Sequence, residues 1–458
     1  MTDETALIGA APPRATAAPT AKAASEGRGY RAWLLFVLFL VCLLNYADRT
    51  VVASIAGSLR AELHLNDLQL GLLQGMSFAL LYCLLGIPFA RLSERHSRVK
   101  ILAGATAVWS LMTMVCGAVN SFPNLLLARL GVGVGEAGFM GPAASLIGDH
   151  FPRSRRTMAN SFMMMGVPFG ALIGASSGGL IAQTLGWRWA FVIMGAPGLL
   201  VALLVLTLRD PERGAMDQEQ DAETPSLRAV AANLFRSKTF LHVTAGGTLA
   251  GFGMQGLGAF LPLYYARVHG MAPAAAGLST GVIAFLNVSG GLAFSGWLAS
   301  WGARRDMRWL AWIPAVGSVA STGFYIAAFN ATALVPSLAL LAVAGIVLMS
   351  YFSPGLAMVQ NLAGARSRAS SIAIYSLIVN LVGLGVGPVL IGYASDRFAQ
   401  AAYGGPLPES CKALAADLAC RTALGTGLRH ALMLMTCLFV WAGVHYYLAG
   451  RSQPKGAA

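Results

Sequence analysis

Twelve stretches of the chain alternate with polar breaks and are apolar over a length that suits a membrane-crossing helix. They lie near residues 32–59, 68–92, 99–119, 123–149, 157–184, 187–208, 239–267, 272–301, 309–329, 333–361, 369–396 and 424–449. A helix needs about 20 mainly apolar residues to cross the hydrocarbon layer. One polar interruption is long, Arg209 to Lys238, and it leaves six stretches on each side. Equal numbers on the two sides suggest an internal repeat. The expected fold is an all-α membrane protein with 12 transmembrane helices in two pseudo-symmetric six-helix bundles, residues 30–208 and 239–449. Residues 1–29 are rich in Ala, Pro and Thr and lack the apolar core of a signal peptide, so a disordered cytoplasmic tail is expected there. The linker 209–238 begins acidic and ends in a stretch, Ser226 to Phe235, patterned as a short amphipathic helix. Residues 450–458 form a second short tail.

Composition agrees with this reading: 56% of the 458 residues are hydrophobic, 11% are charged and 53 are glycine. The net charge of +13 then reports orientation rather than affinity for nucleic acid. With the N-terminus inside, 23 of the 32 Lys and Arg fall in tails and cytoplasmic loops, which places both termini in the cytoplasm. We expect an integral protein of a bacterial inner (plasma) membrane, acting as a monomer. Cys42, Cys83, Cys116 and Cys437 lie in apolar spans as small core residues. Cys411 and Cys420 share the loop before the last span, on the expected exterior, where a disulfide is available to staple the loop. The cysteines and the seven histidines form no metal motif, and no Gly-rich phosphate loop ending in Lys-Ser/Thr is present. No cofactor is expected, and direct use of ATP is disfavoured. A membrane-embedded lipid enzyme or a sensor would need a catalytic cluster or an output domain that the sequence does not offer.

Four charges stand well inside spans: Asp48 and Arg49 in the first, Arg129 and Glu136 in the fourth. Each costs about 2.5–3.5 kcal/mol at a helix centre, so they must face a cavity or one another. Helical rise puts Asp48 about 22 Å from the cytoplasmic start of its span, and Arg129 about 10 Å from the exterior start of its own. In a core about 30 Å thick those depths nearly coincide, so Asp48 can pair with Arg129, with Arg49 as the competing partner. Glu136 lies two turns past Arg129 on the same face, about 10 Å deeper, and is the better candidate proton carrier, with Asp48 beside it. A carboxylate in a dry cavity is made harder to ionise by burial and easier by a nearby arginine, so a motion that changes either loads or releases a proton. A static polar lock between the two helices is the competing reading, and a lock that opens on protonation serves both. Glycines 131, 133, 135 and 138 flank Glu136 and supply either space or close packing.

Two loops carry a family resemblance. Ala90-Arg91-Leu92-Ser93-Glu94-Arg95-His96-Ser97-Arg98 and Gly296-Trp297-Leu298-Ala299-Ser300-Trp301-Gly302-Ala303-Arg304-Arg305 follow the second and eighth spans. Both are similar to the G-x-L-A-D-R-x-G-R-R signature of the major facilitator superfamily, with Ala90, Glu94 and Ser97 departing in the first copy and Ser300 in the second. Arg129 stands where that superfamily has its fourth-helix arginine. Gly174-Ala175-Ser176-Ser177-Gly178-Gly179 resembles the fifth-helix G-P-x-x-G-G of antiporters, with Ala175 for the proline. The segments NYADRTVVA, LLLARLGVGVGEAGFMGPAASLIGDHFPRSRR and GWRWAFVIMGAPGLL resemble the Spinster group. The resemblance implies a major facilitator fold, a cytoplasmic latch on Glu94, Arg95, Arg98, Arg304 and Arg305, and an amphipathic lipid such as a lysophospholipid or sphingosine-1-phosphate as substrate.

Uncharged polar residues in spans are candidates for the substrate cavity or for ties between helices. They are Asn45 and Tyr46 in the first half, and Gln255, Asn287, Tyr351, Ser353, Gln360, Asn361, Tyr375 and Asn380 in the second. The second half has no charge mid-span, so a charged wall should face an apolar one, which suits an amphiphile better than a sugar. The expected function is proton-linked secondary active transport of an amphipathic lipid by alternating access, with protons and membrane lipids as its other partners. A sugar or multidrug carrier is the alternative.

Overall fold

In a computed structural model, residues 27–212, 227–363, 367–412 and 417–452 are described. The first 26 residues, the acidic linker segment 213–226 and the tail 453–458 lie outside them, and so does most of what the sequence assigns to tails. The described chain is almost wholly helical. The first half holds α1 (Arg28–Ser54), α2 (Ala56–Leu63), α3 (Asp67–Gln74), α4 (Met76–Arg95), α5 (Arg98–Cys116), α6 (Phe122–Glu136), α7 (Met140–His150), α8 (Arg153–Met164), α9 (Gly166–Thr184) and α10 (Trp187–Val205). The linker carries α11 (Leu227–Arg236). The second half holds α12 (Lys238–Val268), α13 (Pro273–Ala303), α14 (Trp309–Asn330), α15 (Leu334–Leu348), α16 (Phe352–Leu362), α17 (Arg368–Tyr403) and α18 (Leu418–Ser452).

Eleven helices, counting broken pairs as one, are long and apolar enough to cross a bilayer among the described residues. The twelfth crossing is α12, 31 residues long and rich in glycine. Four crossings are broken: α3 and α4 part at Gly75, α6 and α7 immediately after Glu136, α8 and α9 at Met165, and α15 and α16 at a 3₁₀ turn, Met349–Tyr351. After an even number of crossings the described chain starts and stops on the same face, hereafter the terminal face. There Tyr30 Oη accepts from the Arg209 backbone at 2.6 Å, and the Thr239 and Ser452 hydroxyls are 2.7 Å apart.

Glycines set how closely the helices approach. Gly166, Gly170, Gly174 and Gly178 recur every fourth residue along α9 and form a flat stripe against α1, where a Cβ on Gly174 would stand 2.2 Å from the Ala47 carbonyl oxygen. Small residues at this spacing let backbones touch without a hydrophobic drive between helices. Gly179 points the other way, across the seam between the halves. A Cβ there would lie 2.3 Å from the Pro273 oxygen, and one on Gly277 of α13 would lie 2.3 Å from the Ala175 oxygen. The antiporter-like stretch is thus the place where α9 packs on α1 and α13 together. On the other seam, Gly71 of α3 and Gly75 at the break after it abut the α17 backbone at Pro388 and Gly385. These approaches between the halves lie toward the face opposite the termini.

Candidate functional site

The four deep charges resolve into two crossed pairs. Asp48 accepts from Arg129 at 3.1 Å and from Thr113 of α5 at 2.9 Å. Arg49 holds Glu136 through Nε at 2.8 Å and Nη2 at 2.7 Å, both on Oε2. Asp48, Arg129 and Glu136 are buried, and Glu136 has no exposed surface. Successive residues on α1 diverge by about 100°, which lets neighbours of opposite charge serve separate partners on α6. The Arg49 guanidinium is also caged by the rings of Tyr46, Phe78 and Tyr82, with centroids 4.9, 4.3 and 4.8 Å away. Such cation–π contacts hold a charge that has left water. The glycines around Glu136 serve packing: a Cβ on Gly135 would stand 2.5 Å from the Trp109 backbone nitrogen, and one on Gly133 would stand 2.8 Å from the Phe78 oxygen. They bring α6 onto α5 and α4.

Above the pairs lies a central cavity of about 220 Å³ between the halves. Arg49 and Arg129 reach it, as do Tyr46, Thr50, Gln74 and Phe78, all from the first half. The second half contributes mainly Met254, Leu257, Leu261, Ile283, Val288 and Leu384, with Gln255, Thr280, Asn287 and Tyr325 as its polar members. Charge is therefore confined to one wall.

The remaining expected residues are dispersed. Tyr46 and Gln255 line the cavity. Asn45 does not: it is 1% exposed inside the first bundle. Tyr351 and Tyr375 are buried within the second bundle, where the Tyr375 hydroxyl sits against Gly247 and Gly355. Gln360 is exposed near the end of α16, and Asn380 is exposed one turn before Leu384 on α17. Gln74, Thr50, Thr280 and Tyr325 are cavity residues that the sequence reading omits. Gln74 had a usable signal, since it is an uncharged polar residue within the expected span 68–92.

The expected latch takes a different form. Glu94 and Arg95 are exposed, and no Glu94–Arg98 pair appears among the described residues. Arg98 is buried and bonds Asp149, Asp210 at 2.7 Å, Ser145 at 3.0 Å and the Pro211 carbonyl at 2.5 Å. Arg304 and Arg305 are exposed, with Arg305 stacked on Trp301 at 4.3 Å. Asp149 and Asp210 displace Glu94 because they flank the start of α5, where Arg98 is already buried. Burial pushes the Asp210 carboxyl up, but hydrogen bonds from Arg98 and Ser97 and the Arg98 charge outweigh it and hold the group below its ordinary value.

The opposite face carries a network unforeseen from sequence. Asp67, fully buried at the start of α3, accepts from Arg60 at 2.7 Å and Ser395 at 2.6 Å, and from Arg267 at 2.6 and 2.7 Å. Asp396 accepts from the Asp67 and Leu68 backbone at 3.1 and 2.9 Å. Arg267, Ser395 and Asp396 belong to the second half, so the network ties the bundles together. Arg60 also reaches the Cys411 carbonyl at 3.5 Å, and Cys411 is disulfide-bonded to Cys420.

The family model of the Major Facilitator Superfamily matches residues 38–399. The chain belongs to that superfamily. Among its major facilitator relatives, an MFS-type efflux pump of Mycolicibacterium smegmatis is 34% identical over 374 residues, covering 80% of this chain and 85% of that one. The sphingosine-1-phosphate transporter SPNS2 of Mus musculus is 28% identical over 397 residues, covering 81% and 71%. A crystal structure of a bacterial homolog to the human lysosomal transporter Spinster, inward-facing and unoccupied, superposes with a TM-score of 0.85 at 31% identity, covering 93% of this chain and 98% of that one. This major facilitator chain is a membrane transporter with Spinster relatives, and not an enzyme.

Proposed function

We propose that the chain is a proton-linked secondary transporter of amphipathic lipids, of the lysophospholipid or sphingosine-1-phosphate type. The observation that carries this reading is the Arg49–Glu136 pair: a cavity-lining cation whose counter-ion is a wholly buried carboxylate. Neutralising Glu136 by a proton releases Arg49 to the cavity, where an anionic headgroup is its natural partner, while the apolar wall of the second half receives the tail. The Spinster relatives, one of them named for sphingosine-1-phosphate, favour the same cargo. Protonation and cargo thus act on one guanidinium, which links them. Asp48 and Arg129 set the field around that exchange.

With both termini in the cytoplasm, as the distribution of basic residues favours, the ion network at the opposite face closes the exterior and the cavity loads from inside. The two bundles then rock about the cavity as a monomer, in a bacterial inner membrane. The linker helix and the Arg98 cluster lie on the cytoplasmic side, and the division between the bundles falls at 209–238.

A multidrug efflux reading is favoured by one specific finding, the efflux-pump name of the M. smegmatis relative. Proteoliposome flux separates the two. Labelled lysophospholipid and sphingosine-1-phosphate should accumulate under an imposed pH gradient, and cationic dyes and sugars should not. Accumulation of dyes in place of lipids supports efflux of drugs, and flux indifferent to the gradient removes the proton from the proposal.

A further inference from the structure

Asn45 sits where no role is yet assigned to it. Its side chain is buried, does not line the cavity, and neither Oδ1 nor Nδ2 has a hydrogen-bond partner among the described residues. Burying an amide unpaired costs about 1–3 kcal/mol, so such a group is retained for a reason or completed by an internal water. Its position is specific. Around α1, Asp48 lies about 60° to one side of it and Arg49 about 40° to the other. Along the axis it lies about 4.5 Å nearer the terminal face than Asp48, while Glu136 lies about 10 Å nearer that face than Arg129. Asn45 therefore falls between the two ion pairs in both direction and depth.

Three further buried polar atoms in the same part of the bundle lack partners among the described residues: Glu136 Oε1, Arg129 Nε and Ser110 Oγ. Ser110 stands one turn before Thr113, the Asp48 ligand on α5, which crosses in the same direction as α1. Gly198 of α10 leaves room for that hydroxyl, since a Cβ there would lie 2.0 Å from it. Asn45, Ser110 and both carboxylates stand outside the cavity lining, and of these groups only Arg129 reaches it.

We infer that Asn45 holds an internal water through which a proton passes between Glu136 and Asp48, a path separate from that of the cargo. This rests on the proton-linked reading above. In the step, neutral Glu136 gives its proton from Oε1 to the water as the water passes one of its own to the Asp48 carboxylate. The water is unchanged. Glu136 becomes the anion that binds Arg49, and Asp48 becomes neutral and loosens Arg129. Asn45 does no chemistry; its amide, donor at one end and acceptor at the other, positions the water toward both carboxyl groups. The consequence is that one proton alternately frees the two arginines.

The test is Asn45→Leu, close in size and without either polar atom, in proteoliposomes with fluorescent lysophosphatidylglycerol as probe. We expect gradient-driven accumulation to fall about tenfold or more and counterflow, which needs no net proton movement, to fall no more than about threefold. Asn45→Ser should recover part of the accumulation. Equal losses in both assays, or none in either, overturn the inference, because a packing role predicts the first and no role the second. If wild-type accumulation itself ignores the gradient, the proton-linked reading fails first and takes this one with it. A second measurement holds even where Asn45→Leu does not assemble. Infrared spectra of the wild type should contain an internal-water band that shifts in H₂¹⁸O and changes as the carboxyl groups titrate, a change lost in Glu136→Gln. The absence of that band also overturns the inference.

Discussion

Arg49 is the residue on which the cavity and the buried carboxylate meet, and its neighbours decide what substitution does. Replacing Glu136 by Gln removes the group that competes for Arg49 but leaves the guanidinium in its aromatic cage. We expect Glu136→Gln to transport without response to a pH gradient, measured as the ratio of lipid accumulation with and without the gradient. Asp48→Asn should behave differently. It leaves Arg129 as a buried cation with no anion, and breaking one partner of a buried pair costs about 3–5 kcal/mol. Its signature should be a lower melting temperature in detergent together with reduced flux. The four deep charges were legible in the sequence because a charge in an apolar run is conspicuous. The crossing of the pairs was not, because counting residues gives depth but not the reach of a long side chain: Arg49 extends along the helix to Glu136. Asp67 and Arg60 were missed for another reason. They stand at span ends, where water is the default assumption, yet both are buried.

At the level of helices, the glycines of α9 and α13 bring backbone onto backbone across the seam between the halves. Substituting Gly277 by Leu places a side chain where even a Cβ stands 2.3 Å from a carbonyl oxygen. Overpacking of this kind costs about 1–3 kcal/mol, here borne only by the form closed at the opposite face. We expect Gly277→Leu to raise the labelling of a cysteine introduced at Ala53, on the cavity wall, by an impermeant thiol reagent added at that face. Unchanged labelling would mean that the seam tolerates the side chain. The spans themselves were legible within a few residues at most ends, since length and apolarity define them. The breaks were not. Nothing in the apolar pattern marks Gly75 or the turn after Glu136, because interruption of a helix among neighbours depends on which partners satisfy its freed backbone groups.

For the whole molecule, two polar clusters hold the ends of the bundles. Arg267→Gln removes the second half's cation from Asp67, and we expect it also to raise Ala53→Cys labelling from the opposite face, with a lowered melting temperature. On the terminal face, Asp210 is held below its ordinary value, so the sign follows directly: its contribution is complete above the usual carboxylate pKa of about 3.9 and is lost as pH falls through the lower folded value. The difference in melting temperature between wild type and Asp210→Asn should therefore be constant at neutral pH and shrink as the buffer is taken below about pH 4. The two-bundle plan and the charged-versus-apolar walls could be anticipated from sequence. The Arg98 cluster could not, since Asp149 and Asp210 come from segments 61 residues apart in the chain and only the fold joins them.

The seam between α9 and α13 has a mechanical consequence. Helices that meet through large interlocking side chains have a few preferred registers, and moving between them means climbing out of one set of grooves into another. At Gly179 and Gly277 there are no such teeth, only peptide planes in contact. A joint of that construction is a plain bearing: it lets the bundles press close in the form shut at that face while offering little resistance to their turning apart. The ion network at the opposite face then sets which way the molecule points, and the seam sets how freely it swings.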